Sequence, residues 1–434
     1  MFNYYTSIIL LFAVSPIYAQ IIYSNGATNV ITFGGIVQCN GGIQLTNGSL
    51  LLNEGSLTVT KNSSLSQAGN FFNTSSSTIS GNGLYSIEQD WINDATFLAQ
   101  LSEMVLFGNT EQLITSTTGV ITEFNNLTLI SSGTGVNKRK TLSNVNSRTS
   151  ASGILTINGC ELYTGSNSFE VLNPDPSSVV NLTTFGSEGF VSSIDPGYFV
   201  RHTNQISSYL FPVGSNDETF RYRPVSISPN SISNNTFNVR LNNYSADTDD
   251  YFLAQHAADI ETANHLFYHS IERFAGSSSA DIRIHYLTNY DGDWASIAHW
   301  YPIKNEWEDV DNSSNGVSTN YTFNEKVSWD FPTTNPSYVL ITNAVQLFIP
   351  NIFTPNFDGD NDNFFITSKG LTEYNLVIVN RWGIPVFEST NAQEAWDGTS
   401  GGEECLDGVY FYILKGKSTS KDYIKQGNIT LTRN

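Results

Sequence analysis

The chain has 434 residues and a formal net charge of −20, yet only 14% of its side chains are charged, against about 25% in an ordinary soluble domain. So acidic a surface is repelled by phosphate backbones and anionic lipid, which excludes nucleic acid as a partner. Hydrophobic residues at 39% and aromatics at 13% suffice for a core. The Ser, Thr, Asn and Gly that replace the missing charge suit short strands and tight turns better than long amphipathic helices.

At the N-terminus, Ser7 to Val14 is an apolar run too short to cross a bilayer. Ala19-Gln20 follows as a signal-peptidase junction, so residues 1–19 read as a signal peptide. Two features depart from the pattern: no Lys or Arg precedes the run, and Ile17 stands where a small residue is preferred. No other apolar stretch approaches the roughly 20 residues of a membrane helix, so no transmembrane span is expected in the mature chain.

Residues 20–195 carry short β-type runs broken by Asn, Gly and Ser, as in "GGIQLTNGSLLLNEGSLTVTKNSS". Such strands cannot build a core singly, but stacked as coils they share one. This predicts a β-solenoid of the parallel β-helix kind, with a row of β-sandwiches as the alternative. Residues 196–346 alternate more strongly, with a turn expected at Gly214–Asp217, and predict a β-sandwich. Helical periodicity is suggested only in "TDDYFLAQHAADIETANHLFYHSIERFAG". Residues 347–434, with "YNLVIVNRWGIPVFE" and "GVYFYILKGK", predict a small C-terminal Ig-like β-sandwich. The fold class is therefore all-β throughout.

Several residue sets invite a chemical reading. Cys39, Cys160 and Cys405 are distant and odd in number, leaving room for one disulfide but not for a zinc site. His265 and His269 stand four apart, but Leu266 occupies the place of a zincin's Glu. Asp90 and Asp94 could serve a glycosidase, or be solvated turn residues. Lys138-Arg139-Lys140 is the one basic cluster in a region without His, too little for a polysaccharide lyase. Trp294, Trp300 and Trp307, with Tyr290 and Tyr301, suggest a sugar-stacking platform, or else core. No catalytic set is recognised, and the passenger is read as a non-enzyme.

The densest acidic cluster lies in "IPNIFTPNFDGDNDNFF". Asn356, Asp358, Asp360 and Asp362 stand at alternate positions and could converge on one structural Ca2+. The competing reading is an Asx-turn network in which the carboxylates accept backbone N–H groups. The spacing is not that of an EF-hand, since Lys369 stands where the bidentate Glu should be.

"IPNIFTPNFDGDNDNFFI", "VIVNRWGIPVFE", "AWDGTSGG", "DGVYFYILKG" and "GNITLTR", in that order, resemble the gliding motility-associated C-terminal domain of Bacteroidetes, the type B sorting domain of type IX secretion. The match covers residues 347–434. The motif residues are Pro355, Asn356, Asp358, Gly359, Asn361, Asp362, Arg381, Trp382, Gly383, Trp396, Asp397, Gly398, Gly408 and Tyr410. Phe357 stands where the family usually has Gly, so a differently shaped loop is expected. The resemblance implies export through the type IX translocon and its outer-membrane partner proteins, to the cell surface or the medium. Arg381 and Trp382 could be a docking pair. The competing reading is favoured: Trp382 as the large central aromatic that a small sandwich needs, with Arg381 stacked beside it or paired with Asp397. The passenger is expected to be an adhesin or structural surface protein; a glycan-binding accessory protein is the alternative, ahead of a polysaccharide-degrading enzyme.

Overall fold

The structure is a computed structural model and describes residues 8–11, 17–19, 21–181, 185–311, 313–318, 320–333, 335–418 and 421–433. The expected signal peptide lies largely outside these. Only the backbone of Ile8–Leu11 and Ile17–Ala19 is described, pairing in parallel with Thr28–Ile31 and Ile36–Asn40.

The N-terminal region is a solenoid of parallel sheets in which each strand pairs with the strand one coil further on. Two sheets of eight strands run its length, from Ile17–Ala19 to Val179–Asn181 and from Ile22–Asn25 to Phe190–Ser193. The spacing-two alternation turns every second residue inward. Parallel register then stacks like positions: Val37, Leu57, Tyr85, Met104, Leu127 and Leu155 form one buried column. Corners are tight. A Cβ on Gly55 would come within 2.3 Å of the Gly35 carbonyl, so only glycine lets these coils close up.

The third face is interrupted. One five-stranded sheet ends at Thr96–Phe97, and the next begins at Thr122–Phe124 without pairing to it. Side chains fill the gap. The Asp94 carboxylate accepts from Ser116 Oγ (2.9 Å), Thr117 Oγ1 (2.7 Å) and the Thr118 N–H (3.2 Å). Inside the coil, Asn73 donates to Asn93 (2.8 Å) and Asn93 to Thr122 Oγ1 (3.1 Å), a polar ladder across the break. Lys140, from the basic cluster, is wholly buried, donating to the Gly108 carbonyl and to Gln112 Oε1, both at 2.9 Å. Burial lowers its pKa to about 8.

The sheet that begins at Thr122–Phe124 does not stop with the solenoid. It runs in parallel through Ser147–Thr149, Phe169–Val171 and Phe199–Thr203. It then turns antiparallel through Asn235–Asn242, Tyr268–Ala275, Ser337–Asn343, Ser296–Tyr301 and Glu306–Asp309, as part of a ten-stranded sheet. The expected boundary at residues 195 and 196 is thus crossed by continuous hydrogen bonding. A second, five-stranded sheet, including Val225–Pro229 and Ala280–Tyr286, covers the inner face, and one hydrophobic core extends from Ile31 to Leu340.

Two expectations are corrected here. The suggested helical stretch is two strands, Ile260–Ala263 and Tyr268–Ala275; among the described residues the one α-helix is the single turn Thr288–Asp291. The turn expected at Gly214–Asp217 is shifted, because Gly214–Ser215 is itself a strand pairing with Arg221–Tyr222. Of the two readings of the tryptophan cluster, core is the one seen: Trp294, Trp300 and Trp307 are all buried and pack in the cores. Cys160 and Cys405 form no disulfide.

The C-terminal domain has its own core, built from Phe353, Phe364, Leu376, Ile378, Trp396 and Leu431 among others. Its main sheet orders Ile352–Phe353, Asp422–Leu431, Gly408–Lys417, Glu373–Val379 and Pro385–Ser389. Two of its lysines reach the sandwich: Lys369 lies 3.1 Å from Asp311 and 3.4 Å from Asp259, and Lys421 lies 2.5 Å from Glu261.

Burial holds His269 and His285 neutral, with pKa values lowered to about 4. An unfolded His titrates near 6.5. As pH falls from about 6.5 through 4, the unfolded chain takes up protons that the fold refuses, so stability falls over that window. Urea unfolding at pH 7 and pH 4.5 is expected to show this loss, and His269→Gln, which keeps a donor for the Arg223 carbonyl, is expected to lose less.

Candidate functional site

The motif residues of the C-terminal domain divide into an interior set and an exposed set. Trp396 is the central aromatic, 1% exposed, with ring centroids 5.2 Å from Phe353 and 5.0 Å from Tyr410. Its indole N–H donates to the Thr399 carbonyl at 2.8 Å. Asp397 accepts from the N–H and hydroxyl of Thr399, fixing the turn that carries Gly398. Gly398, at φ +80°, lies where a Cβ would meet Pro355 Cγ at 3.0 Å, which locks the acidic loop against the end of the sheet. Gly408 opens the long strand Gly408–Lys417, and the Tyr410 hydroxyl donates to the Leu406 carbonyl at 2.8 Å.

The acidic loop is shaped by its own carboxylates. Asp362 accepts from the N–H groups of Phe357 (2.6 Å), Gly359 (2.9 Å) and Asn356 (3.1 Å). Asp358 accepts from the Asp360 N–H and from Asn356 Nδ2, each at 2.9 Å. The Asp360 N–H bond, then that from Asn356, holds the Asp358 carboxyl below the usual range. Asn361 returns its carbonyl to the Thr354 N–H at 2.7 Å. These are the bonds of an Asx-turn network. Phe357 takes the left-handed conformation, φ +64°, with its ring 88% exposed. The loop thus keeps a backbone suited to glycine at that position, at the cost of strain.

Among the described residues, the carboxylate oxygens close enough together to share a cation are those of Asp259, Asp309 and Asp311. They lie in the sandwich, and Lys369 of the C-terminal domain pairs with two of them. Hydrogen bonding to Asp311, working against desolvation, raises the Lys369 pKa. The position that breaks the EF-hand pattern is thus an inter-domain contact.

The exposed set corrects the favoured reading of Trp382. Its ring is 74% exposed, and Arg381 lies over it at 5.2 Å, out in solvent. The tip turn is held by Asn380, whose Oδ1 accepts from the N–H groups of Trp382 (2.9 Å) and Ile384 (3.1 Å), with Gly383 at φ +77°. The place of the central aromatic is taken by Trp396, so Trp382 is free to project. It borders a 320 Å³ cavity with Arg381, Val386, Leu406, Gly408 and Tyr410. Leu406 and Ile384 are also strongly exposed, an apolar face that the motif residues alone did not reveal.

Residues 347–431 match the family model of the CHU_C Type IX secretion signal domain. The C-terminal domain is a type IX sorting domain. No curated protein and no solved structure matches the chain. A sorting domain of this kind supports type IX sorting of a secreted protein to the cell surface or its surroundings. No helix among the described residues is long and apolar enough to cross a membrane.

The two carboxylates singled out in the solenoid are both engaged. Asp90 Oδ1 accepts the Leu113 N–H at 2.8 Å, and burial raises its pKa. Burial opposes the charge of Asp94, but the bonds from Thr117, Ser116 and Thr118 outweigh it and lower its pKa. The two flank the strand Trp91–Asn93, which puts their backbones roughly 13 Å apart at 3.3 Å per residue.

Phe357→Gly is expected to stabilise the sorting domain by about 0.5–1 kcal/mol, because it relieves a left-handed non-glycine residue and loses no packing. Asp362→Ala removes three acceptor bonds and is expected to loosen the same loop. Hydrogen exchange across residues 349–365, with thermal melts of the full chain, reads both effects.

Proposed function

We propose that this is an exported surface protein whose last domain addresses it to the type IX translocon and whose remainder works by contact outside the cell. The observation that carries the reading is the sorting domain at residues 347–431. An N-terminal signal peptide at residues 1–19 supplies the first membrane crossing. Trp382 and Arg381, with Leu406 beside them, form the face offered to the translocon and its outer-membrane partners. Exposed Trp and Arg are the side chains most often found as binding anchors, and the tip turn that presents them is held by Asn380 rather than by the core.

The passenger is an adhesin or structural surface protein. Its support is the long, rigid solenoid welded to a sandwich, with the named carboxylates Asp90 and Asp94 engaged in holding coils together. Glycan binding is the second reading, and the polar row described in the next subsection favours it. The wide acidic surface suits an extracellular protein that must stay dispersed.

Export in a type IX-competent host tests the reading. The full chain is expected at the surface or in the medium, and a chain ending at Gln346 is expected to remain in the periplasm. Trp382→Ala is expected to leave the melting temperature within about 1 °C, since a surface change away from packing moves stability little, yet to reduce export. Equal export of the full and shortened chains would refute the sorting role. Undiminished export of Trp382→Ala would remove that face from it.

A further inference from the structure

The outer face of the continuous sheet carries a row of residues aligned strand to strand. Register places Glu123 beside Arg148, Arg148 beside Glu170, Glu170 beside Val200, Val200 beside Asn238 and Asn238 beside Glu272. The row crosses from the solenoid into the sandwich. Its inward neighbours, such as Phe124, Phe169, Phe237 and Ile271, are core, so alternation sends the row outward. Five strand spacings of about 4.8 Å give it a length of roughly 24 Å.

From Arg148 to Glu272 the row is the floor of a 520 Å³ cleft. Side chains along it are already oriented: Arg148 on Glu123 (2.7 Å), His202 on Glu170 (2.8 Å) and Asn238 Nδ2 on Glu272 (3.0 Å). Asn238 is 8% exposed, and its Oδ1 has no hydrogen-bond partner. Aromatic rings stand on either side. Tyr198 is fixed on one flank by Arg240, 4.6 Å from its ring centre, and Phe274 stands on the other, 69% exposed.

We propose that this cleft binds a neutral oligosaccharide segment, laid along the row with sugar faces on Phe274 and Tyr198. The proposal rests on the contact reading of the passenger and names its ligand class. Ring hydroxyls both donate and accept, which matches a floor that alternates carboxylate, guanidinium, imidazole and amide. A polyanion is disfavoured, because Glu170 and Glu272 face the cleft while Glu123 already neutralises Arg148. The length of the row suits several sugar units rather than one.

The test is calorimetry of the full chain with cellohexaose, laminarihexaose, mannohexaose and xylohexaose, and with a hexagalacturonate and a lysine hexapeptide as charged probes. At least one neutral hexasaccharide is expected to bind, in preference to either charged probe. Phe274→Ala is expected to weaken that binding about ten-fold or more, as removal of an aromatic anchor does. Glu272→Gln is expected to weaken it as well, and Ile303→Ala, at an exposed site outside the cleft, to leave it unchanged. Failure of all four neutral sugars, preference for a charged probe, or indifference to Phe274→Ala overturns the proposal. A parallel measurement of the chain's adhesion to cells separates the two levels. Adhesion that persists in Phe274→Ala while sugars fail to bind removes the cleft but keeps the contact reading. A parent chain that neither adheres nor binds any neutral sugar removes both.

Discussion

A solenoid strand of three to five residues has nowhere within its own coil to place its backbone hydrogen bonds. They must go to the coils above and below, and this requirement governs the N-terminal half of the molecule. It fixes the columns of Val37, Leu57 and Tyr85 in register. It demands glycine where coils close at Gly55. Where the ladder fails, between Thr96–Phe97 and Thr122–Phe124, side chains take over: Asp94, Asn93 and Thr122 do there what backbone does elsewhere. Buried Lys140 belongs to the same logic. Its ammonium satisfies the Gly108 carbonyl and Gln112 where a corner leaves acceptors inside, since an unmet buried acceptor costs about 1–3 kcal/mol.

What could be read from the sequence was local. Alternation of Leu57 and Val59 with polar neighbours announced short strands, and the Asn-Gly breaks announced coils, although in Leu50–Asn53 it is Leu51 and Asn53 that turn inward. The five C-terminal motifs announced the sorting domain. What could not be read was pairing between distant segments. Glu123, Arg148, Glu170, Val200, Asn238 and Glu272 lie in segments 22 to 38 residues apart by their register partners, and of the polar ones only Glu170 and Asn238 stand between two apolar residues. Nothing local says that they share a row. The change of the sheet from parallel to antiparallel at Phe199–Thr203 is equally silent, because alternation looks the same in both.

Tryptophan was the least legible residue. Trp382 and Trp396 lie fourteen positions apart, and both stand beside Gly or Asp-Gly turns. One projects from a turn tied by Asn380 and the other fills the core against Phe353 and Tyr410. Trp294, Trp300 and Trp307 are core, as alternating aromatics in strands more often are, although a dense aromatic cluster reads alike whether it faces solvent or a second sheet. In the acidic loop, residue type was informative but its use was not. Carboxylates at alternate positions suit a cation or a set of N–H groups, and only the turn geometry shows Asp362 gathering three of the latter.

The unbroken sheet between solenoid and sandwich also decides how the molecule carries load. Tension entering the sandwich passes into the solenoid through hydrogen-bonded strands and a shared core, with no linker to flex. The sorting domain is tied on differently, by the chain itself and by exposed pairs such as Lys369 with Asp311 and Lys421 with Glu261, which solvent screens. A pull on the chain therefore meets solenoid and sandwich as one hydrogen-bonded body, whereas the sorting domain is joined to them through exposed charge.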